Sequence, residues 1–321
     1  MELNQKLLDA SKKALFDYLA LSEDETLLIL TDEKLNTIGK HLLEAAKNCC
    51  SEVFYVEMKS REINGEEPPQ QIAEMMKNVD VVIAPLYRSI THTDARRNAS
   101  RLGVRVATMP NISEDTMIRC LSAKSSKIID TTELIAEKLK GVETIRVTTK
   151  KGTDVTMQVK GRKIIASTGV LTKIGQSGNL PSGEVYLAPI EGKTNGTVVF
   201  DGSFASIGLL KDDITVKIEK GYAVAIDGGE QAKQLEEMLN KVGLDAFAVG
   251  EFGIGTNYKA KLTGTILEDE KVFGTIHIAF GNNLTMGGNI RIASHLDGLV
   301  KKPTVYFDDE MIMDKGKLLI K

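Results

Sequence analysis

Tryptophan is absent from this 321-residue chain, and aromatic residues make up only 5% of it. Proteins that grip single-stranded nucleic acid rely on aromatic rings as stacking platforms, so nucleic acid is not an expected partner. An excess of positive charge is missing too. The net charge is -3, which offers no basic field to phosphates or to an acidic membrane surface. Cysteine is scarce. Cys49, Cys50 and Cys120 are odd in number, two are adjacent, and no CxxC pair occurs. A disulfide framework and a sulfur-ligated zinc site are thereby excluded, and small buried thiols in a reducing compartment are expected. Long apolar runs are lacking as well, since none approaches the roughly 20 residues that span a bilayer. The first residues, MELNQKLLDASKKALFDYLAL, place Leu7, Leu8, Leu15 and Leu19 among charges, as an amphipathic helix rather than a signal peptide does. No membrane partner is expected, and the cytoplasm is the expected location.

Glycine is missing where a dinucleotide would need it. The first apolar run, ETLLILTD, is followed by EKLNT rather than a glycine-rich turn. A Gly-x-Gly occurs only far downstream, at Gly253 and Gly255, in a β-rich context that gives it little weight. What the first 126 residues do contain is alternation. ETLLILTD, SEVFYVEM, DVVIAPL and VRVATMP read as short strands, with helical spacing in KLNTIGKHLLEAAKNC, PPQQIAEMMKNV and THTDARRNASRLG between them. This order predicts a small Rossmann-like α/β domain over residues 1–126, with a parallel sheet. A helix, DTTELIAEKLKGV, follows, and the pattern changes. Residues 127–321 read as a mainly antiparallel β domain with Gly-, Asn- and Asp-containing turns, interrupted by the helix GEQAKQLEEMLNKVG.

Histidine is the residue whose scarcity is most informative. Of four, His41 falls on the helix GKHLLEAA, where a surface position is expected, and His92 precedes a helix capped by Thr91 or Thr93. The other two fall in the second domain. In NIRIASHLDGLV, read as a strand, His295 and Asp297 are two apart and point the same way. In FGTIHIAFGNN, His277 stands on the face opposite Ile276 and Ile278. Two carboxylates lie in similarly apolar strands, Glu184 in NLPSGEVYLAP and Glu251 in AFAVGEFGIGTN. A buried unpaired carboxylate is costly, and a cation would remove that cost. Surface hydrogen bonds and exposed strand ends remain the alternative for each residue taken singly. Together, Glu184, Glu251, His277, His295 and Asp297 form a thiolate-free set suited to Zn, Mn, Co or Fe, and their number suits two ions sharing a bridging carboxylate.

At these residues the chain resembles the metal-dependent aminopeptidases T and S of bacteria. The ordered segments SGEVYLAP, VGEFGIGTN, HIAFG and HLD carry the resemblance, together with THTDARRNASRLGVRVATMP in the first half. It implies five metal ligands at Glu184, Glu251, His277, His295 and Asp297, two divalent ions (Zn, Co or Mn), small peptide substrates and a homodimer. On this reading a metal-activated water removes N-terminal residues from peptides, with Glu251 and Glu184 as catalytic residues. A carboxylate must then carry a proton to the leaving amine, and Glu268 or Glu270 of LEDEKVFG is a candidate, although a solvated turn is the plainer expectation there. The family's tyrosine shortly after the first histidine is replaced here by Leu284. The same fold family contains a ring-opening dioxygenase of dihydroxypyridine that holds one Fe(II) with two histidines and an aspartate. His277, His295 and Asp297 match that triad, which makes a ring-cleaving dioxygenase the alternative function. A metal-stabilised scaffold with no catalysis is the third class.

Overall fold

The computed structural model describes residues 4–320. Two compact units result, one formed by residues 1–125 with 169–182, the other by 126–168 with 183–321. The class is α/β, with a parallel sheet in the first unit and antiparallel sheets in the second.

In the first unit the strands Glu52–Met58, Thr26–Asp32, Val81–Ala84, Arg105–Thr108 and Ser177–Asn179 lie side by side in that order, all parallel. Their central members are apolar on both faces, as a parallel sheet covered by helices requires. Leu28, Leu30, Val82, Val106, Met76 and Ala99 meet in one core. Where a nucleotide fold would bring a phosphate, the end of the first strand is closed by its own carboxylate. Asp32 accepts from Lys34 N and Leu35 N at 3.1 Å and from Tyr87 N at 2.7 Å.

Two local expectations need correcting here. His41 is not on the surface: its Nδ1 donates to Thr37 O (2.8 Å), and its Nε2 accepts from Asn4 N (3.0 Å), so the ring is buried between two backbone groups. Of the thiols only Cys120 is buried, while Cys49 and Cys50 are half-exposed. The N-terminal helix runs as an α-helix over Gln5–Lys12 and widens into a π-helix over Lys13–Tyr18. Among the described residues no helix is long and apolar enough to cross a membrane.

Arg105 gives the first unit an acid-sensitive tie. Its guanidinium donates two hydrogen bonds of 2.7 Å to the Glu25 carboxylate and holds that group below the ordinary carboxylate range, against a smaller opposing effect of burial. A carboxyl with a depressed pKa stabilises the fold above its unfolded value, about 4.3, and ceases to do so as pH falls through the folded value. Arg105→Ala is therefore expected to cost about 1 kcal/mol near neutrality. The gap from wild type should narrow below about pH 4.3. Denaturant melts across pH 7 to 3 check this, and a gap that widens with acid contradicts it.

The second unit holds two antiparallel sheets among its described residues. One has eight strands and the other seven. The seven-stranded sheet runs Gly208–Leu209, Ser203–Phe204, His295–Lys301, Thr275–Gly281, Val249–Gly255, Glu184–Leu187, Ile165–Ser167. One face of it packs into a core with Val147, Val155, Val198 and Val216 of the other sheet. Phe200, Phe204 and Phe280 cluster there, with ring centroids 5.1 to 6.5 Å apart, and two of the three pairs meet edge to face. Fully burying a side chain of this size contributes roughly 1.5–3 kcal/mol.

Candidate metal centre

Strand register assembles the site. Glu251 lies opposite Ala279, and Ala279 opposite Asp297, so these two carboxylates share a row across three strands. Two residues along, Gly253 lies opposite His277, and at the far end Gly281 lies opposite His295. Glu184 lies opposite Gly255 on the next strand. Because side chains alternate, Val185, Phe252, Ile254, Ile276, Ile278, Phe280, Leu296 and Val300 all fall on the other face and enter the core. The period-two pattern thus turns every polar member of these strands to one side. A register irregularity between Val249 and Glu251 marks where the carboxylate enters the sheet.

Gly253 and Gly255 of VGEFGIG make room rather than bind phosphate. A Cβ at Gly253 would stand 2.0 Å from His277 Nε2, and one at Gly255 would stand 2.2 Å from Val272 O. Gly253→Ala is accordingly expected to displace the imidazole and to destabilise the protein by about 1–3 kcal/mol through overpacking. Loss of metal uptake should exceed what that destabilisation explains. Thermal melts alongside metal titration check it, and unchanged uptake contradicts the assignment.

The polar groups form a continuous line. Lys271 Nζ bonds Glu184 Oε1 at 2.8 Å and also bonds Glu270 Oε1. Glu184 Oε2 stands 3.6 Å from His277 Nε2, which bonds Glu251 Oε1 at 3.1 Å. The second oxygen of Glu251 lies 3.1 Å from His295 Nε2, and that nitrogen lies 3.5 Å from Asp297 Oδ1. All five residues expected from the sequence therefore gather on one face. Burial works against charge throughout. It opposes ionisation of Glu251, yet the hydrogen bonds from His277 and His295 hold that carboxyl far below its ordinary range. Burial likewise opposes protonation of His277, but Glu251 and its neighbouring carboxylates push it up to about 9. His295 is raised well above its ordinary value, with Asp297 overcoming the burial. A metal cation at this point would take the place of the protons that these imidazoles carry.

The donor atoms fit one. Glu251, His295 and Asp297 each offer an atom within 4.8 Å of those of the other two, the one such trio among the described residues. Asp297 Oδ1 and Glu184 Oε2 are buried without a hydrogen-bond partner. His295 Nδ1 lies 2.7 Å from Asn282 O, and a carbonyl can only accept, so the proton sits on Nδ1 and Nε2 is left to ligate. His277 and Glu184 lie outside the trio.

Two features were not anticipated. NIRIAS is not a strand; the strand begins at His295. The preceding residues are a loop pinned by side chains: Asn283 Oδ1 accepts from Ile290 N (2.8 Å), Asn282 Nδ2 donates to Ile292 O (2.9 Å), and Glu191 Oε1 accepts from Asn289 N (2.8 Å). Nor is LEDEKVFG a solvated turn. Glu268, Asp269 and Lys271 are fully buried. Glu268 accepts from Lys261 N at 2.8 Å, and Asp269 accepts from Thr263 N at 2.7 Å and Gly264 N at 2.9 Å. Burial pushes Glu270 up to about 8, with Lys271 opposing the rise.

Comparison with known proteins gives this geometry its context. Residues 6–320 match the family described as NicX, 2,5-dihydroxypyridine 5,6-dioxygenase. A 2,5-dihydroxypyridine 5,6-dioxygenase of Pseudomonas putida is 24% identical over 194 residues, 56% of this chain and 55% of that protein. The chain thus spans about half the length of the curated relative it matches. The structure of 2,5-dihydroxypyridine dioxygenase from Pseudomonas putida superposes with a TM-score of 0.84 at 18% identity, covering 99% of this chain and 98% of that one. Wild-type AmpT from Thermus thermophilus superposes with a TM-score of 0.70 at 16% identity, covering 98% and 99%. Both likenesses concern the fold. The expected aminopeptidase, with its peptide hydrolysis and proteolysis, is overturned by the family match and by the dioxygenase relative. The ordered GE, GE, H and HxD segments did not by themselves separate the two chemistries.

Proposed function

Since the chain belongs to the 2,5-dihydroxypyridine 5,6-dioxygenase family, a family of metal-dependent enzymes, we propose that it opens a dihydroxylated pyridine ring with dioxygen at a single Fe(II). The observation that carries the reading is the convergence of Glu251, His295 and Asp297 on one point. Ferrous iron, when bound, supplies the one-electron chemistry that lets dioxygen react with a closed-shell ring. Glu251, His295 and Asp297 would hold it. Asn282 fixes the tautomer of His295, and the His277 Nε2–H donates to Glu251 Oε1 and fixes the orientation of that carboxylate. Three protein ligands would leave room beside a bound ion for the ring hydroxyls and for oxygen. His295 is the most exposed of the set, with 20% of its side chain accessible, so the ring approaches past it. The apolar face of the sheet excludes water from behind.

In the reaction the bond between two adjacent ring carbons breaks and both atoms of dioxygen enter the product. No external reductant is consumed. Protein stripped with chelator and reloaded anaerobically with Fe(II) is expected to consume oxygen and 2,5-dihydroxypyridine one for one, followed by an oxygen electrode and by loss of ring absorbance. Full iron loading with no oxygen uptake on a panel of dihydroxylated pyridines and benzenes would sink the proposal.

A further inference from the structure

The five acidic and imidazole groups suggested two ions, yet only three of them share a point. What stands at the other end of the line is Lys271, a lysine with no exposed surface. Its ammonium bonds Glu184 and Glu270, two carboxylates outside the trio. Its backbone is fixed on both sides. Lys271 N donates to Glu268 O (2.9 Å), and Lys271 O accepts from Asn257 N (2.9 Å). The close approach depends on Gly255, where a Cβ would stand 2.7 Å from the Lys271 carbonyl carbon, and Gly255 is the register partner of Glu184. The ammonium is therefore carried on a fixed backbone turn and is not a surface side chain folded inward.

We propose that Lys271 fills the place of a second cation, so that the centre takes one divalent ion and Glu184 serves the lysine rather than the metal. This rests on the metal reading given above and assigns the half of the constellation which that reading leaves unused. A compact ammonium offers three donors and a single fixed charge, enough to neutralise a buried carboxylate without binding oxygen or substrate. A divalent ion against Glu184 would face that charge at close range in a medium that screens poorly. His277, lying between Glu184 and Glu251, separates the two cationic positions.

The test is stoichiometry and needs no turnover. Stripped protein is titrated with Mn(II) alone and its metal content measured by mass spectrometry. Wild type is expected to hold one ion per chain. Glu184→Gln should also hold one, with affinity reduced by less than about 100-fold, the range for groups outside the coordination shell. Lys271→Met, folded by circular dichroism, should hold two. Two ions on wild type, a greater loss with Glu184→Gln, or a single ion on folded Lys271→Met would overturn the role of the lysine and leave the dioxygenase reading standing. If Lys271→Met does not fold, the first two measurements decide. No ion on wild type would overturn the metal reading itself, and absence of oxygenase activity with one ion bound would leave the lysine's role intact.

Discussion

Replacing His295 by alanine is expected to weaken metal binding by more than about 100-fold, beyond what loss of an orienting neighbour produces. The imidazole offers the one nitrogen of the trio, at 3.1 Å from Glu251 and 3.5 Å from Asp297. Without it two buried carboxylates face each other with no neutral ligand between them. Turnover should fall with metal content. His277→Ala distinguishes a ligand from an orienting group. Its ring touches Glu251 and lies outside the trio, so about a 10- to 100-fold loss of affinity is expected, with one ion still bound at saturation. Titration of stripped protein with Fe(II) or Mn(II) measures both, and a His295→Ala variant with near-normal affinity contradicts the assignment.

Phe280→Ala should produce the largest loss of stability, about 3–5 kcal/mol. The ring is fully buried and meets both Phe200 and Phe204, with centroids 6.1 and 6.5 Å away. It belongs to the strand that carries His277, three residues along on the opposite face. The strand therefore loses its anchor where the imidazole needs it. Urea unfolding monitored by circular dichroism gives the magnitude, and a change below about 1 kcal/mol would mean that the aromatic cluster repacks around the gap.

Much of this was legible in the chain because the second unit obeys strict alternation. Ile276, Ile278, Phe280, Leu296 and Val300 face the core, so the polar residues interleaved with them had to share the other side. Residues that break an apolar strand stand out, and Glu251, His277 and Asp297 do. Lys271 did not, and the burial of EDEK was hidden, because this run looks the same whether water or a buried carboxylate receives it. Pairing between distant charges, such as Lys271 with Glu184, leaves no local period to read. The stretch before His295 misled for a related reason. Ile290 and Ile292 alternate as a strand would, but the side chains of Asn282 and Asn283 take the backbone groups that a ladder would use. Ser177–Asn179 is too short to show any alternation, and only parallel pairing with Arg105–Thr108 makes it a strand. Which reaction the centre performs was not in these motifs at all, since function resides in sites grafted on a fold.

The register that sets Glu251, Ala279 and Asp297 in one row has a last consequence. Sliding any of these strands by one position would drive an acid or an imidazole into the phenylalanine cluster and bring an isoleucine out to replace it. Greasy packing alone therefore forbids the wrong arrangement. A newly made chain starved of metal should fold with its seat already shaped, ready to capture an ion whenever supply returns.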